Sequence, residues 1–149
     1  MIEHKINLTP IGTVRNYVND PKRKDWQAVA SQIVINKELE TALDGVEGFS
    51  HLIIIYWMHK LSPAEQRPAK VHPKGDRSLP LTGVFATRSP ARPNPIGMTV
   101  VKLVERRGSI LEVTGLDALN GTPVLDIKPY IPSHDSIPEA SVPEWLHAS

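Results

Sequence analysis

His51 to Lys60 reads HLIIIYWMHK. Almost every residue is apolar and β-branched or aromatic, the composition of a central strand covered on both faces. Tyr56, Trp57 and Met58 within it read as core. Before it, Trp26–Ile35 has period two, with Val29, Ser31, Ile33 and Ile35 on one side, so it predicts a strand with one well-buried face. Asn36–Asp44 predicts the one short helix: Asn36 as cap, Leu39 and Leu43 four apart, Gly45 as stop. Asp20–Asp25 (DPKRKD) is a charged turn, and Ile6–Arg15 a first strand interrupted at Pro10. After it, Leu61–Pro80 is polar, proline-broken loop, and Gly83–Thr87 a short strand. Gly97–Arg106 and Ile110–Leu116 form a hairpin across Arg107-Gly108-Ser109. Val124–Ile127 is another short strand, and the tail is irregular. Six or seven strands and one short helix make the chain mainly β, and the irregular connections favour a mixed, irregular β-barrel.

The length of 149 residues suits a single domain over 1–149. There is no cysteine, so disulfides, thiolate zinc sites and a cysteine nucleophile are excluded. The histidines form no H-x-H or H-E-x-x-H cluster, and no metal is expected. Neither G-x-G-x-x-G, nor a P-loop, nor G-x-S-x-G occurs, so Rossmann, P-loop and serine-hydrolase chemistry are not signalled. The longest apolar run, Leu52–Met58, is too short for a membrane helix, and the N-terminus lacks a signal pattern. A soluble cytoplasmic protein is the expectation. Net charge is +1, but Lys70, Lys74, Arg77, Arg88 and Arg92 face only Asp76 within their stretch. Such a local basic surface suits an anionic partner.

Thr82–Gly97 reads TGVFATRSPARPNPIG. Pro90, Pro93 and Pro95 fix their own φ and restrain Ser89, Arg92 and Asn94. The loop is therefore stiff, which lowers the entropy cost of holding a ligand. Arg88 and Arg92 bring guanidinium forks suited to carboxylate or phosphate. Asn94 brings a donor and an acceptor, and Gly97 permits a tight exit or a close backbone approach. A second stretch, Leu116–Pro132, reads LDALNGTPVLDIKPYIP. Asn120-Gly121 signals a turn, and Asp126 and Lys128, two apart, share a strand face. They are either a surface ion pair worth under about 1 kcal/mol or two charges lining one pocket.

GVFATRSPARPNPIG at 83–97 resembles the signature of the TsaA-like (TrmO) family. So do IGTVRN at 11–16, LDGVEGFSHLIIIYW at 43–57 and LNGTPVLDIKPYIP at 119–132. The resemblance covers nearly the whole chain. It implies an S-adenosylmethionine-dependent methyltransferase on a mostly-β barrel, one that N6-methylates threonylcarbamoyladenosine beside the tRNA anticodon. It also implies a homodimer with the cofactor near the subunit interface. Carried over by position, it assigns cofactor contacts to Asn16, Tyr17, Val18, Ser50, His51, Arg88, Met98 and the turn Asn120-Gly121-Thr122-Pro123. Asparagine stands at 120 where the family usually has aspartate. Arg92 and Lys128 are candidates for holding the acceptor's carboxylate. Asp126, Tyr130, Lys128 and Asn94 are candidates for the chemistry, with Asp126, Tyr130 or a water taking the proton. Well-known bacterial members carry a further C-terminal domain. Two alternatives follow: the same chemistry on a small-molecule acceptor, or a non-catalytic module binding cofactor or RNA.

Overall fold

The computed structural model describes residues 4–60 and 68–147. In chain order its strands are β1 (Gly12–Arg15), β2 (Ala30–Ile35), β3 (His51–Trp57), β4 (Lys70–Val71), β5 (Thr82–Gly83), β6 (Ile96–Arg107), β7 (Ile110–Thr114) and β8 (Pro123–Pro129). Two helical turns follow, α1 (Pro132–Asp135) and α2 (Glu144–His147). The chain divides into two compact units. The first contains the described residues up to His59 together with Ile96–Tyr130; the second contains Lys60–Pro95 and the described residues from Ile131 onward.

The first unit is a closed barrel in the order β1-β2-β7-β6-β3-β8. Every recorded pairing is antiparallel. β3 is central, with Ile53 opposite Val100 of β6 and Lys128 of β8. Alternation sends Leu52, Ile54 and Tyr56 into the interior, where they are fully or almost fully buried. His51, Ile53, Ile55 and Trp57 point outward and are half-buried. The expectation of two covered faces therefore holds for one: an antiparallel barrel strand has a single interior side. Val14, Ile33, Ile35, Val101, Leu111, Val113 and Val124 complete the core.

Period two in the second segment holds only from Ala30, with Ser31, Ile33 and Ile35 inward. Trp26–Ala28 is instead one 3-10 turn, closed by the Val29 N–H on the Trp26 carbonyl at 3.0 Å. The first strand shortens to Gly12–Arg15, past Pro10, which has no N–H to give. The expected helix is a 3-10 segment over Lys37–Leu43. The Asn36 side chain does not cap it; its Nδ2 donates to the Pro10 carbonyl at 3.1 Å. Arg106 of β6 holds this segment down. Its Nη1 reaches Asp44 (3.1 Å) and Glu47 (3.3 Å), and its Nη2 donates to the Glu40 carbonyl (3.2 Å). The β6–β7 hairpin forms as the sequence indicates, with Gly108 at φ +59 in the turn.

In the second unit β4 and β5 make a two-stranded sheet. The stretch expected as loop, 61–80, thus holds β4 and a 3-10 turn over Pro73–Gly75; residues 61–67 lie outside the described ones. The expected strand Gly83–Thr87 is mostly a 3-10 turn, Val84–Ala86. The Val84 carbonyl ends it by accepting from both the N–H (3.1 Å) and the hydroxyl (2.8 Å) of Thr87. The tail is not wholly irregular. Pro132 opens α1 at a position where its missing N–H costs nothing.

Candidate functional site

Two stretches far apart in sequence, 16–18 and 120–123, converge at one end of the barrel. Asn16 is buried, and its backbone N–H and both side-chain polar atoms are bonded. Its backbone N–H donates to Asn120 Oδ1 (3.0 Å). Its Nδ2 donates to Ser31 Oγ (2.9 Å) and the Ala118 carbonyl (3.0 Å), and its Oδ1 accepts from the Val18 N–H (2.9 Å). The Asn120 N–H returns to the Val18 carbonyl at 2.8 Å. Gly121, at φ +85, lets its N–H reach the Val14 carbonyl at 2.8 Å. Thr122 is buried and donates its hydroxyl to the Leu119 carbonyl at 2.7 Å. Between the buried pins Asn16 and Val18, Tyr17 is fully exposed. Asn120 serves here as an acceptor for an N–H, a role an aspartate fills equally well.

A second group lies on the outer face of β3, β6 and β8. Ile55 stands opposite both Met98 and Asp126, Ile53 opposite Lys128, and His51 opposite Lys102. Residues directly opposed across strands project to the same side. The His51 Nδ1 is 2.7 Å from Ser50 Oγ, and its ring meets Tyr130 edge-on at 6.5 Å. Lys128 Nζ pairs with Asp126 Oδ2 at 3.2 Å, and Asp126 Oδ1 accepts the Ile127 N–H at 2.9 Å. Both side chains are half-exposed, so the pair itself stabilises by under about 1 kcal/mol.

The proline loop of the second unit is stitched to itself. The Ser89 N–H donates to Thr87 Oγ1 (3.2 Å) and the Ala91 N–H to Ser89 Oγ (3.1 Å). Arg92 turns its Nη1 back onto the carbonyls of Thr87 (3.1 Å) and Ser89 (3.0 Å); it shapes the loop as well as carrying charge. Asn94 is exposed. Arg88 is exposed and lines a cavity of about 470 Å³ together with Phe85, Lys74, Trp145 and Leu146.

The sequence reading missed three participants. Ser31 reads only as an inward strand residue, yet it holds Asn16. Asp117 lies within a quoted stretch without drawing notice. It is exposed as a residue, but its carboxyl is enclosed enough that burial raises its pKa. Trp145 sits in a tail with no periodic signal. Among the described residues no three His, Cys, Asp or Glu side chains gather as a metal site, and no helix is long and apolar enough to cross a membrane.

A closed, six-stranded antiparallel barrel with a stiff arginine loop defines a compact class of fold. Residues 13–136 match the family described as the tRNA-methyltransferase O N-terminal domain. The chain belongs to that family. It is 43% identical over 141 residues to a probable S-adenosyl-L-methionine-binding protein of Methanothermobacter thermautotrophicus, covering 92% of this chain and 98% of that one. It is 45% identical over 104 residues to the tRNA (adenine(37)-N6)-methyltransferase of Escherichia coli, covering 67% of this chain and 44% of that enzyme. A crystal structure of TrmO from Pseudomonas aeruginosa superposes with a TM-score of 0.75 at 32% identity, over 93% of this chain and 61% of that one. The chain thus spans under half of the bacterial enzyme and under two thirds of the solved structure.

Proposed function

We propose that this chain is an S-adenosylmethionine-dependent methyltransferase whose acceptor is the N6 of threonylcarbamoyladenosine in tRNA. The observation that carries the reading is the convergence of 16–18 and 120–123 in one hydrogen-bonded network. Both stretches are among those the family resemblance assigns to the cofactor, and the antiparallel pairing of β1 with β8, Thr13 opposite Pro123, sets them side by side. The donor set fits such a cofactor. Arg88 offers an exposed guanidinium for a carboxylate, Met98 an exposed thioether opposite Ile55 for an apolar or aromatic surface, and the 120–123 turn backbone groups for polar edges. When bound, S-adenosylmethionine supplies an electrophilic methyl group.

The chain's own contribution is alignment, which lowers such barriers by about 7–11 kcal/mol at best. Asp126 is the proton acceptor in this reading. Its Oδ2 is held by Lys128 and its Oδ1 by a backbone N–H, which fixes its orientation. Lys128 and Arg92 serve the acceptor's carboxylate. The basic side chains Lys70, Lys74, Arg77 and Arg88 are all exposed on the second unit, as an RNA backbone requires. A tRNA substrate also carries the cytoplasmic assignment.

The test is calorimetric titration with S-adenosylmethionine followed by methyl transfer to tRNA bearing threonylcarbamoyladenosine. Arg88→Ala is expected to weaken cofactor binding by about tenfold or more, the scale of a lost charge-assisted pair. Asp126→Asn is expected to keep cofactor affinity and lose transfer. A folded wild type that binds no cofactor rejects the proposal; one that binds it but methylates only small molecules moves the acceptor to the second class.

A further inference from the structure

The segment joining β7 to β8, residues 115–122, is tied to the barrel along its length. Gly115 donates its N–H to the Val29 carbonyl (3.2 Å), the Asp117 carbonyl accepts from the Tyr56 hydroxyl (2.7 Å), and the Ala118 carbonyl accepts from Asn16 Nδ2 (3.0 Å). Leu116 and Ala118, on either side of Asp117, are buried in the core. The Asp117 side chain therefore springs from a fixed backbone. Among the described residues no donor and no cation answers its carboxyl; burial alone acts on it and raises its pKa. Asp126 differs, since Lys128 stands 3.2 Å from its Oδ2. A carboxylate drawn partly out of water with no partner costs free energy, and such groups concentrate at functional sites.

Asp117 is linked to two groups of residues assigned to the cofactor. Through Ala118 and Asn16 it joins the network of 16–18 and 120–123. Through Tyr56, which stands opposite Gly97 in the β3–β6 register, it joins the strand end that carries Met98. All of these residues belong to the first unit. Charge then chooses between the two ligands of the methyltransferase reading. A tRNA is a polyanion, which a lone carboxylate repels. S-adenosylmethionine carries an ammonium and a sulfonium against one carboxylate, and a cation beside Asp117 would offset the burial that disfavours its charge. We propose that Asp117 is a further cofactor-binding residue, its carboxylate set against the positively charged part of S-adenosylmethionine. The proposal rests on the methyltransferase reading above and adds a residue that the family resemblance does not assign.

The test is calorimetric titration of the wild type and Asp117→Asn with two ligands. One is S-adenosylmethionine. The other is methylthioadenosine, which shares its nucleoside and its sulfur but carries neither the ammonium nor the sulfonium charge. Asp117→Asn keeps the size of the side chain and the backbone carbonyl that Tyr56 uses. It is expected to weaken S-adenosylmethionine about tenfold or more, the scale of a lost charge-assisted contact. The Kd for methylthioadenosine should stay within about twofold. Asp117→Glu, which returns the charge on a longer arm, should recover part of the lost affinity. Equal weakening of both ligands would assign Asp117 to the nucleoside or to the fold and overturn the proposal. So would S-adenosylmethionine binding that Asp117→Asn leaves unchanged, and in that case the methyltransferase reading would stand. A folded wild type that binds neither ligand would sink that reading and the proposal with it.

Discussion

Gly97 shows how much one missing side chain settles. A Cβ there would come within 2.8 Å of the Tyr56 ring Cζ. That ring cannot swing aside, because its hydroxyl donates to the Asp117 carbonyl (2.7 Å) and shares a bond with Thr99 Oγ1 (2.8 Å). Gly97→Ala is therefore expected to destabilise the protein by about 1–3 kcal/mol, the cost of overpacking a fixed core. Urea denaturation measures it, and an unchanged midpoint would mean that Tyr56 is free to move. The sequence marks Gly97 as a place of close approach; that the neighbour is Tyr56 emerges only from the β3–β6 register. Arg92 teaches the reverse. Its fork reads as a ligand group, but a stiff loop has carbonyls of its own to satisfy, and sequence does not say which partner a guanidinium meets first.

The strands were legible where alternation is strict. β2 from Ala30, the inner face of β3 and the β6–β7 hairpin all follow from residue order. The misread segments are short. Lys37–Leu43 carries a helical spacing of leucines, but seven residues do not sustain an α-helix without tertiary help. The help available, Arg106 reaching across from β6, ties a tighter 3-10 winding in place. α1 and α2 are single turns whose sequences carry no period at all. The Asn120-Gly121 turn is the opposite case, fully legible as a turn, while its tie to Asn16 was not. That tie makes a specific prediction. Asn120→Asp retains an acceptor for the Asn16 N–H and is expected to leave stability and cofactor affinity nearly unchanged. Asn120→Ala strands that N–H and is expected to cost about 1–3 kcal/mol. Thermal melts and cofactor titration of the two variants together check the difference.

The barrel leaves an apolar outer face. Ile96, Met98 and Val100 of β6 are each about two-fifths to one-half exposed, beside the half-buried Ile53 and Ile55 of β3. We propose that a second copy of the chain covers this face, since self-complementary patches of this kind are the usual basis of two-fold dimers. Val100→Lys is expected to convert a dimer to a monomer in sedimentation velocity; a wild type already monomeric at micromolar concentration would refute the idea. The way the barrel closes has a separate consequence. β1 bonds to β8, with Gly12 opposite Val124. During synthesis, which proceeds at roughly 5–20 residues per second, β1 emerges before the other barrel strands and its final neighbour β8 after them. Until β8 emerges the nascent barrel is an open sheet, with β1 paired to β2 alone and its other edge unsatisfied. Chaperone demand, and the risk of joining the seam to a stranger, belong to that interval.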